Sequence, residues 1–275
     1  MKLLDGSELS GYIKERQAKQ VRALRQAWKV IPRLAIIETG TNPVSDVYVR
    51  LKQKYGEDIL VEVERHRVDL DQAFELVEQL NRDPSIHGII IQLPLSDPSR
   101  TDELVNAISS SKDVDGLGAS ADYISATATA IDWLLAGYNV TLTNKKIAIV
   151  GQGRLVGAPL TKLWRNAGYE IETYDENSAD ELVGDLNSFD IVVTATGRPS
   201  LIKPEMLKPG AVVVDAGTAT ENDKVVGDVD ESVRLRTDLT ITPKKGGVGP
   251  LTIAALFDNV ITAARKLADE QGKPN

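Results

Sequence analysis

The chain has 275 residues, of which 42% are hydrophobic and 26% are charged. This suits two globular domains of about 100–150 residues each, and no run of roughly 18 apolar residues predicts a membrane span. Cysteine is absent, which excludes disulfides, thiolate catalysis and cysteine–zinc sites. The formal charge of −8 argues against nonspecific binding to nucleic acid. His66 and His87 are too isolated for a usual metal cluster: His66, between Arg65 and Arg67, is expected at a solvated loop position, and His87, before a buried strand, in a structural role.

The first part of the chain alternates helical and strand patterns. Helices are predicted over Ser10–Trp28, Val44–Tyr55, Asp71–Leu80 and Thr101–Ile108. Strands are predicted over Arg33–Thr39, Leu60–His66 and Gly88–Leu93. The last strand is a continuous apolar run, which is typical of a strand buried in a parallel sheet. Asp71 is the predicted N-cap of the third helix. The alternation predicts an α/β unit that ends near residue 117.

The second part of the chain follows a junction in Ala119–Ala130, and a connecting helix is predicted over Ala128–Leu135. A new α/β series begins at Lys146. Its predicted strands are Ile147–Val150, Glu170–Tyr174, Ile191–Ala195, Ala211–Asp215 and Leu239–Thr242, with helices after the first two. A final helix over Leu251–Ala268 is expected to pack back on the N-terminal domain. We therefore predict one domain over residues 1–118 and a second over residues 119–275.

A glycine-rich turn follows the predicted strand Ile147–Val150. It contains Gly151, Gly153 and Gly157 and leads into a helix, an arrangement typical of dinucleotide binding. Glycines let the backbone approach a pyrophosphate, and the helix N-terminus stabilises the negative charge. The spacing G-x-G-x-x-x-G is one residue longer than the usual fingerprint, so a purely structural turn stays an alternative.

Other residues extend the predicted nucleotide site. Asp175, after the next strand, either holds the ribose hydroxyls, which favours NAD over NADP, or caps the next turn. Arg154 either binds a phosphate or faces solvent. The remaining predicted cofactor contacts lie in turns after the strands, where ligands of open α/β sheets bind: Gln152, Val156, Thr196, Gly197 and Thr218.

A reaction site is suggested by four short strings. They are Ser45–Lys52, Ile91–Leu95, Lys112–Gly116 and Lys245–Thr252. Tyr48 and Lys52 are four residues apart, which places them on one face of a helix. The other strings add Gln92, Asp115 and a glycine-rich turn. An aromatic ring, an amine, an amide and an acid suit a flat, nitrogen-rich substrate that needs proton transfer. Each residue also has an ordinary structural interpretation, as a helix-face, strand-end or turn residue.

In their order and spacing, these strings resemble the methylenetetrahydrofolate dehydrogenase/cyclohydrolase family. The similarity covers nearly the whole chain. It is carried by Leu4–Gly6, Gly40–Lys52, Gln92–Leu95, Lys112–Gly116, Pro209–Asp215, Val225–Val229, Thr242–Pro243 and Gly246–Pro250. The resemblance implies an α/β fold with a three-layer catalytic domain and a Rossmann-like dinucleotide-binding domain. It also implies a homodimer with a small-molecule folate substrate. Separately, residues 1–6 lack the apolar core of a signal peptide, so a cytoplasmic protein is expected, and the composition predicts no nucleic-acid, membrane or metal partner.

The resemblance implies two linked reactions. The dehydrogenase oxidises 5,10-methylenetetrahydrofolate to the methenyl form by hydride transfer to NADP or NAD, and the cyclohydrolase adds water to give 10-formyltetrahydrofolate. Lys52 would be the acid/base group, with a pKa lowered by desolvation. Gln92 would orient the amine, Tyr48 would pack on the aminobenzoate ring and Asp115 would bind the pterin. The other implied substrate contacts are Leu93, Pro94, Gly246, Gly247, Gly249 and Pro250.

This chain departs from the family pattern mainly at the nucleotide site. Gly151-Gln152-Gly153 stands where the family has Gly-Arg-Ser, whose arginine and serine favour NADP. The segment after Asp115 is short, and Ala126–Ala130 replaces a Cys-Thr-Pro-x-Gly string. Lys244 and Lys245 replace part of a Pro-Val-Pro string and either attract the folate's glutamate tail or face solvent.

The sequence therefore supports three hypotheses. The main one is a bifunctional dehydrogenase and cyclohydrolase. A monofunctional dehydrogenase that uses NAD is the second, motivated by Asp175. The third is a folate- or nucleotide-binding protein without turnover, motivated by the altered glycine-rich turn. Rates with each nicotinamide cofactor would distinguish them.

Overall fold

The computed structural model describes residues 1–175, 178, 184–221 and 224–272. By its internal contacts the chain divides into two compact units. The six-strand unit contains residues 1–10 and 127–252, and the three-strand unit contains residues 11–126 and 253–275. Both are α/β units with parallel sheets, which confirms the predicted fold class. The division into sequence domains at residues 118 and 119 stays a prediction.

The strands are short and mostly parallel. In chain order they are β1 (Lys2–Leu3), β2 (Arg33–Glu38), β3 (Glu62–Arg67), β4 (Gly88–Ile91), β5 (Ile147–Val150), β6 (Ile171–Tyr174), β7 (Ile191–Thr194), β8 (Val212–Asp215), β9 (Ala219–Glu221), β10 (Lys224–Val226) and β11 (Thr240–Ile241). The predicted strands are all present. β1 and the antiparallel β9–β10 hairpin were not predicted, because such short segments have no recognisable alternation.

The helices of the described residues extend beyond most of the predicted bounds. They are α1 (Gly6–Ala23), α2 (Pro43–Ile59), α3 (Leu70–Arg82), α4 (Thr101–Asn106), α5 (Ala126–Gly137), α6 (Gly157–Asn166) and α7 (Val248–Gln271). α1 continues as one π-helical turn over Leu24–Trp28. Short 3-10 turns cover Pro98–Arg100, Leu186–Ser188, Pro204–Met206 and Glu231–Leu235. The helix predicted after β6 falls largely on residues outside the described part of the chain.

Two local predictions were wrong. The N-cap of α3 is Asp69, not Asp71, because the helix begins at Leu70 and the Asp69 amide donates to Gln72 Oε1 at 3.2 Å, as in a capping box. His66 lies within β3 and is half-buried, whereas a solvated loop position was expected. Strand pairing with β2 holds His66 opposite Ile37, a constraint that the basic neighbours of His66 do not reveal.

The three-strand unit has the strand order β3-β2-β4, with every pair parallel. β2 is the central strand, and its residues from Leu34 to Glu38 are all buried. One face packs against α3 through a cluster that includes Ala35, Ile37, Ala73 and Val77. Since parallel strands meet with their carboxyl ends at one edge, Glu38 and Gln92 lie next to each other at that edge. β4 leads directly into the segment Gln92–Leu95.

The six-strand unit has a parallel sheet of order β1-β11-β8-β7-β5-β6. Its core contains Val150, Phe189, Val192 and Val213 among other buried side chains. β5 is next to both β6 and β7, so the chain order reverses direction across the sheet at this point. Such a reversal opens a crevice at the carboxyl ends of the strands. The glycine-rich turn after β5 lies at this position.

Candidate active site

The Lys52 amine lies at the carboxyl edge of the three-strand sheet. α2 supplies Lys52, and the residue after β4 supplies Gln92. Lys52 Nζ donates to Gln92 Oε1 at 2.9 Å, and Gln92 Nε2 donates to the Leu93 carbonyl at 3.2 Å. The backbone N–H of Gln92 is held by the Ile37 carbonyl at 2.8 Å. Hydrogen bonds therefore hold both the backbone and the side-chain amide of Gln92. The side-chain oxygen in turn sets the direction of the Lys52 amine.

Electrostatics in this region favour an amine that loses its proton easily. Burial lowers the pKa of Lys52, whereas the negative charges of Asp115 and Glu38 act in the opposite direction. Burial raises the pKa of Asp115, and Lys52 partly offsets this effect. Lys52 interacts with both Asp115 and Gln92, so these three predicted residues lie close together. A lysine with a lowered pKa is suited to general base catalysis.

The turn that carries Asp115 is held by its neighbour Asp113. Asp113 is buried, and its carboxylate accepts hydrogen bonds from the N–H groups of Gly116 at 3.1 Å and Gly118 at 2.7 Å. Gly116 has a φ of +68°, and a Cβ there would lie 2.6 Å from the Ser125 nitrogen. From α7, Asn259 Nδ2 donates to the Val114 carbonyl at 2.9 Å. The turn is thus rigidly positioned, and its sequence is constrained by backbone geometry.

Other predicted substrate residues border the same edge. Tyr48 lies one helical turn before Lys52 on α2 and is half-buried. Leu93 is half-buried, and its carbonyl also accepts a hydrogen bond from Ser45 Oγ at 3.4 Å. Pro94 follows through a cis peptide bond and is exposed. Leu93 is thus linked to both Gln92 and α2, and all of these residues belong to the three-strand unit.

Gly246, Gly247, Gly249 and Pro250 belong to the six-strand unit, at the start of α7. Gly246 has a φ of +82°, and its carbonyl accepts a hydrogen bond from the Ser7 N–H at 3.0 Å. The Pro250 carbonyl accepts from Ser10 Oγ at 3.2 Å. Apart from its own stretch of helix, no part of the described chain lies within 4 Å of a Cβ built on Gly249. The turn is therefore fixed by the first helix and has open space at one glycine.

The glycine-rich turn after β5 is shaped by contacts that only glycine permits. Gly151 has a φ of +94°, and a Cβ on Gly157 would lie 1.8 Å from the Gly151 carbonyl oxygen. Gly153 is exposed, and no described residue other than its chain neighbours lies within 4 Å of its Cβ position. Gln152 is held by Thr161, whose Oγ1 donates to Gln152 Oε1 at 3.1 Å. The turn presents open backbone beside the N-terminus of α6, which fits a dinucleotide pyrophosphate.

Neighbouring turns of the six-strand unit carry the other predicted cofactor residues. Thr196 and Gly197 follow β7, and the exposed Thr218 follows β8. The Thr196 N–H donates to Asp228 Oδ2 at 2.7 Å, and Gly197 has a φ of +66°. These turns and the glycine-rich turn therefore lie at the carboxyl edge of one sheet, as predicted.

Arg154, Val156 and Asp175 complete the predicted set. Arg154 and Val156 are half-buried within the glycine-rich turn and just before α6. Asp175 is exposed directly after β6, and Ser178 Oγ donates to its Oδ1 at 3.2 Å. Both interpretations of Asp175, ribose ligand and turn cap, thus stay open. The two residues that follow it lie outside the described part of the chain.

Glu38 and Asp228 lie near these sites and were not predicted as functional residues. Glu38 ends β2, is only 3% exposed, and forms ion pairs with Arg65 and Arg67. An acid that ends an apolar strand is a detectable signal of a buried charge. Asp228 is fully buried and binds both the Thr196 N–H and, at 2.5 Å, the Thr194 hydroxyl. No sequence signal links Asp228 to residues more than thirty positions earlier.

Among residues 1–175, 178, 184–221 and 224–272, no group of three or more acidic, histidine or cysteine side chains is placed to hold a metal ion. His87 is buried, and its Nδ1 accepts the Arg33 N–H at 3.2 Å. Burial lowers the pKa of His87 to about 4. In the same described residues, no helix has the length and hydropathy needed to cross a bilayer.

A lysine–amide–carboxylate cluster in one α/β unit and an open glycine-rich turn in another define the class of protein. This combination is typical of an α/β enzyme that binds NAD or NADP and carries side chains suited to acid/base chemistry. Two family models match the chain. The catalytic domain of tetrahydrofolate dehydrogenase/cyclohydrolase matches residues 4–115, and its NAD(P)-binding domain matches residues 125–268.

Similar proteins agree with these models. The bifunctional protein FolD of Bordetella bronchiseptica is 37% identical over 97% of this chain and 99% of its own length. The crystal structure of the bifunctional FolD enzyme from Campylobacter jejuni has 33% identity and a TM-score of 0.91, over 97% of this chain and 99% of that one. The Trypanosoma brucei enzyme, solved with NADP cofactor and an inhibitor, has 28% identity and a TM-score of 0.89 over 96% and 97% of the two chains.

The chain belongs to the tetrahydrofolate dehydrogenase/cyclohydrolase family. It is a bifunctional dehydrogenase and cyclohydrolase of one-carbon metabolism with an NAD(P)-binding domain, as the main hypothesis from the sequence predicted. No finding favours the monofunctional or the non-catalytic alternative.

Proposed function

We propose that Lys52 carries the acid/base chemistry of this enzyme. The enzyme oxidises 5,10-methylenetetrahydrofolate and then hydrolyses the methenyl product to 10-formyltetrahydrofolate. The observation that carries the proposal is the 2.9 Å hydrogen bond from Lys52 Nζ to Gln92 Oε1, beside Asp115. An amine that is partly desolvated and fixed in direction can accept a proton near neutral pH.

In the hydrolysis, the Lys52 amine removes a proton from the water that adds to the methenyl carbon. A C–O bond forms, and the positive charge of the methenyl group is neutralised. The bond from that carbon to N5 then breaks as the hydroxyl proton leaves and N5 is protonated, which gives the formyl group on N10. Gln92 keeps the amine directed at the water throughout, because its own amide is held by Leu93.

The substrate is positioned by the residues around the amine. We propose that Asp115 accepts hydrogen bonds from the pterin nitrogens and that Tyr48 packs on the aminobenzoate ring. The turn at Asp115 is held by Asp113 and cannot shift without breaking buried hydrogen bonds. Leu93 and Pro94 would border the substrate in the three-strand unit. From the resemblance to the family alone, we carry over Gly246, Gly247, Gly249 and Pro250 as further substrate contacts.

The cofactor would be held by the carboxyl edge of the six-strand sheet. When bound, the nicotinamide accepts the hydride that the methylene carbon loses. The open backbone at Gly153 and the N-terminus of α6 would bind the pyrophosphate, with Gly151 and Gly157 maintaining the turn. Gln152, Arg154, Val156, Thr196, Gly197 and Thr218 would line the same edge. Asp175 would hold the ribose, which supports use of NAD.

Replacing Lys52 with methionine tests this assignment. Lys52→Met should lower methenyl hydrolysis by about 10²–10⁴-fold, the usual contribution of a general base. The matched control is Lys54→Met on the same helix, because Lys54 is exposed and pairs with surface acids at 3.1 and 3.5 Å. Methenyl absorbance gives the rate, and thermal unfolding shows that both variants are folded.

Hydrolysis by Lys52→Met within about twofold of the wild-type rate would contradict the role of Lys52. The wild-type enzyme separates the remaining alternatives in the same assay. Methylene oxidation without hydrolysis would indicate a monofunctional dehydrogenase, and folate binding without either reaction would indicate a binding protein.

We further propose, from the resemblance to the family, that the chain works as a homodimer in the cytoplasm. Light scattering coupled to gel filtration would measure the mass, and a mass of one chain at micromolar concentration would contradict the dimer. The assignment of Lys52 does not depend on this point.

A further inference from the structure

A buried acid lies beside the active-site amide. Glu38 is the last residue of β2 and is 3% exposed. The final register pair of β2 and β4 is Ile37 with Ile91, so Glu38 and Gln92 are the next neighbours along the two strands. Register neighbours in a parallel pair have their side chains on the same face of the sheet. Glu38 therefore lies on the face on which Gln92 binds the Lys52 amine.

Two arginines of β3 cover this acid. Arg65 binds it through two nitrogens, with Nε on Oε2 and with Nη2 on Oε1 at 3.1 Å. Arg67 Nη2 lies 3.7 Å from Glu38 Oε1. Arg65 and Arg67 also bind the Asp46 carboxylate on α2, the latter at 2.6 Å. Two acids and two arginines thus form a cluster with no net charge: Glu38, Asp46, Arg65 and Arg67.

The zero net charge of this four-residue cluster affects whether Lys52 is protonated. A carboxylate near a partly desolvated amine favours the ammonium form, in which the amine is not a base. Glu38 acts on Lys52 in this direction, as Asp115 does. A guanidinium bound through two nitrogens counteracts the acid's field and holds its oxygens in place. Its pairing with Glu38, and then with Asp46, raises the pKa of Arg65, so the arginine keeps its charge throughout.

We propose that Arg65 is a positioning residue for the cyclohydrolase reaction: by pairing with Glu38 it offsets that acid's charge and lets Lys52 work as a neutral amine. This proposal rests on the proposed role of Lys52. The charged groups that act on the amine directly are Asp115, with Asp113 on the same turn, and Glu38 on β2. Arg65 and Arg67 on β3 pair with Glu38, and Asp46 on α2 pairs with both arginines. Of these, Arg65 makes the most contacts with Glu38.

The test measures the titration of Lys52 in Arg65→Met and in Glu38→Gln/Arg65→Met. Protein labelled with ¹³C at the lysine ε carbons gives the midpoint directly, and Lys52→Met identifies the resonance. Arg65→Met should raise the midpoint by about 0.5–1 pH unit, since it leaves the acid's charge less compensated. In the plot of the methenyl hydrolysis rate against pH, the rising limb should move to higher pH by the same amount. Adding Glu38→Gln should reverse both shifts.

A matched control is available on the same two strands. Arg33 of β2 pairs with Glu62 of β3 at 2.7 Å, at the opposite end of the register. Arg33→Met removes a comparable cross-strand ion pair and should leave the Lys52 midpoint unchanged. Arg65→Lys should restore most of the wild-type profile because it keeps a positive charge beside Glu38. Both variants separate the electrostatic effect from a general loss of stability.

An unchanged midpoint in Arg65→Met would overturn the proposal, and so would a shift that persists after Glu38→Gln. The failure of the proposed function looks different. If the Lys52 midpoint shifts in Arg65→Met but the pH profile of hydrolysis does not follow, Lys52 is not the base, whereas the coupling between Arg65, Glu38 and Lys52 stands.

Discussion

The site around Lys52 depends on side chains, whereas the glycine-rich turn after β5 depends on backbone. In the three-strand unit, the site consists of ionisable and amide side chains whose charges are balanced across α2, β2, β3 and the turn at Asp115. In the six-strand unit, the turn consists of backbone shaped by Gly151 and Gly157. By the resemblance drawn from the sequence motifs, this chain is expected to keep the family's residues in the first region and to depart from them in the second.

The difference shows which changes each region tolerates. A backbone turn keeps its shape as long as its glycines remain, so Gln152 can replace a family arginine without altering the path of the chain. The lysine site has no such freedom, because each side chain sets the charge or the direction of another. Variants in the two regions should therefore affect different reactions, and three further predictions test this contrast.

The largest expected effect is on the glycine-rich turn. In Gly157→Ala, the new Cβ would lie 1.8 Å from the Gly151 carbonyl, so the turn must move. Overpacking of this kind costs about 1–3 kcal/mol, which corresponds to a loss of cofactor affinity of roughly 5- to 150-fold if the turn opens. Methylene oxidation should show a raised KM for NAD or NADP, whereas methenyl hydrolysis stays near the wild-type rate.

Gly11→Ala is the control for that variant, since outside its own helix no residue that the structure describes lies within 4 Å of the Cβ position on this glycine. Alanine there should leave both activities intact. Equal losses of oxidation and hydrolysis in Gly157→Ala would show that the two regions do not respond separately.

An intermediate effect is expected at Gln92. Gln92→Leu removes the acceptor that directs the Lys52 amine, and misplacement of a reacting group costs up to about 100-fold in rate. Hydrolysis should fall by roughly 10- to 100-fold, while the affinity for NAD or NADP, measured by fluorescence titration, is unchanged. A wild-type rate of hydrolysis would remove Gln92 from the site.

Gln92→Glu separates direction from charge. The carboxylate keeps an acceptor near the amine but favours its protonated form, so it should raise the pKa of Lys52. Hydrolysis near neutral pH should be low and should recover as the pH rises, whereas Gln92→Leu should show no such recovery.

The smallest effect is expected at Asp175. Asp175→Ser removes a negative charge that disfavours the 2′-phosphate of NADP, so the ratio of kcat/KM for NADP to that for NAD should rise by a few-fold to about tenfold. Glu170→Ser is the control, because Glu170 is an exposed acid just before the opposite end of β6. An unchanged ratio would indicate that Asp175 only caps the turn that contains Ser178.

The local structure around both regions was largely predictable from the sequence. The apolar run before Gln92 predicted a buried strand, and β4 is buried along its whole length. The glycines after Ile147–Val150 predicted the strand, turn and helix that the structure has there. Lys52 and Tyr48 were placed on one helix by their spacing. These inferences depend only on periodicity and on the conformations that each residue type permits.

The sequence alone thus determined the α/β class, the positions of most helices and strands, and the types of side chain available at the site. Only the tertiary structure placed Glu38 beside Gln92, attached Arg65 and Arg67 to it, and joined Asp228 to the turn at Thr196. Which side chains become neighbours is set by strand order and register, and residues far apart in the chain decide these together. The charge balance around Lys52 is therefore a property of the folded sheet and not of any one sequence string.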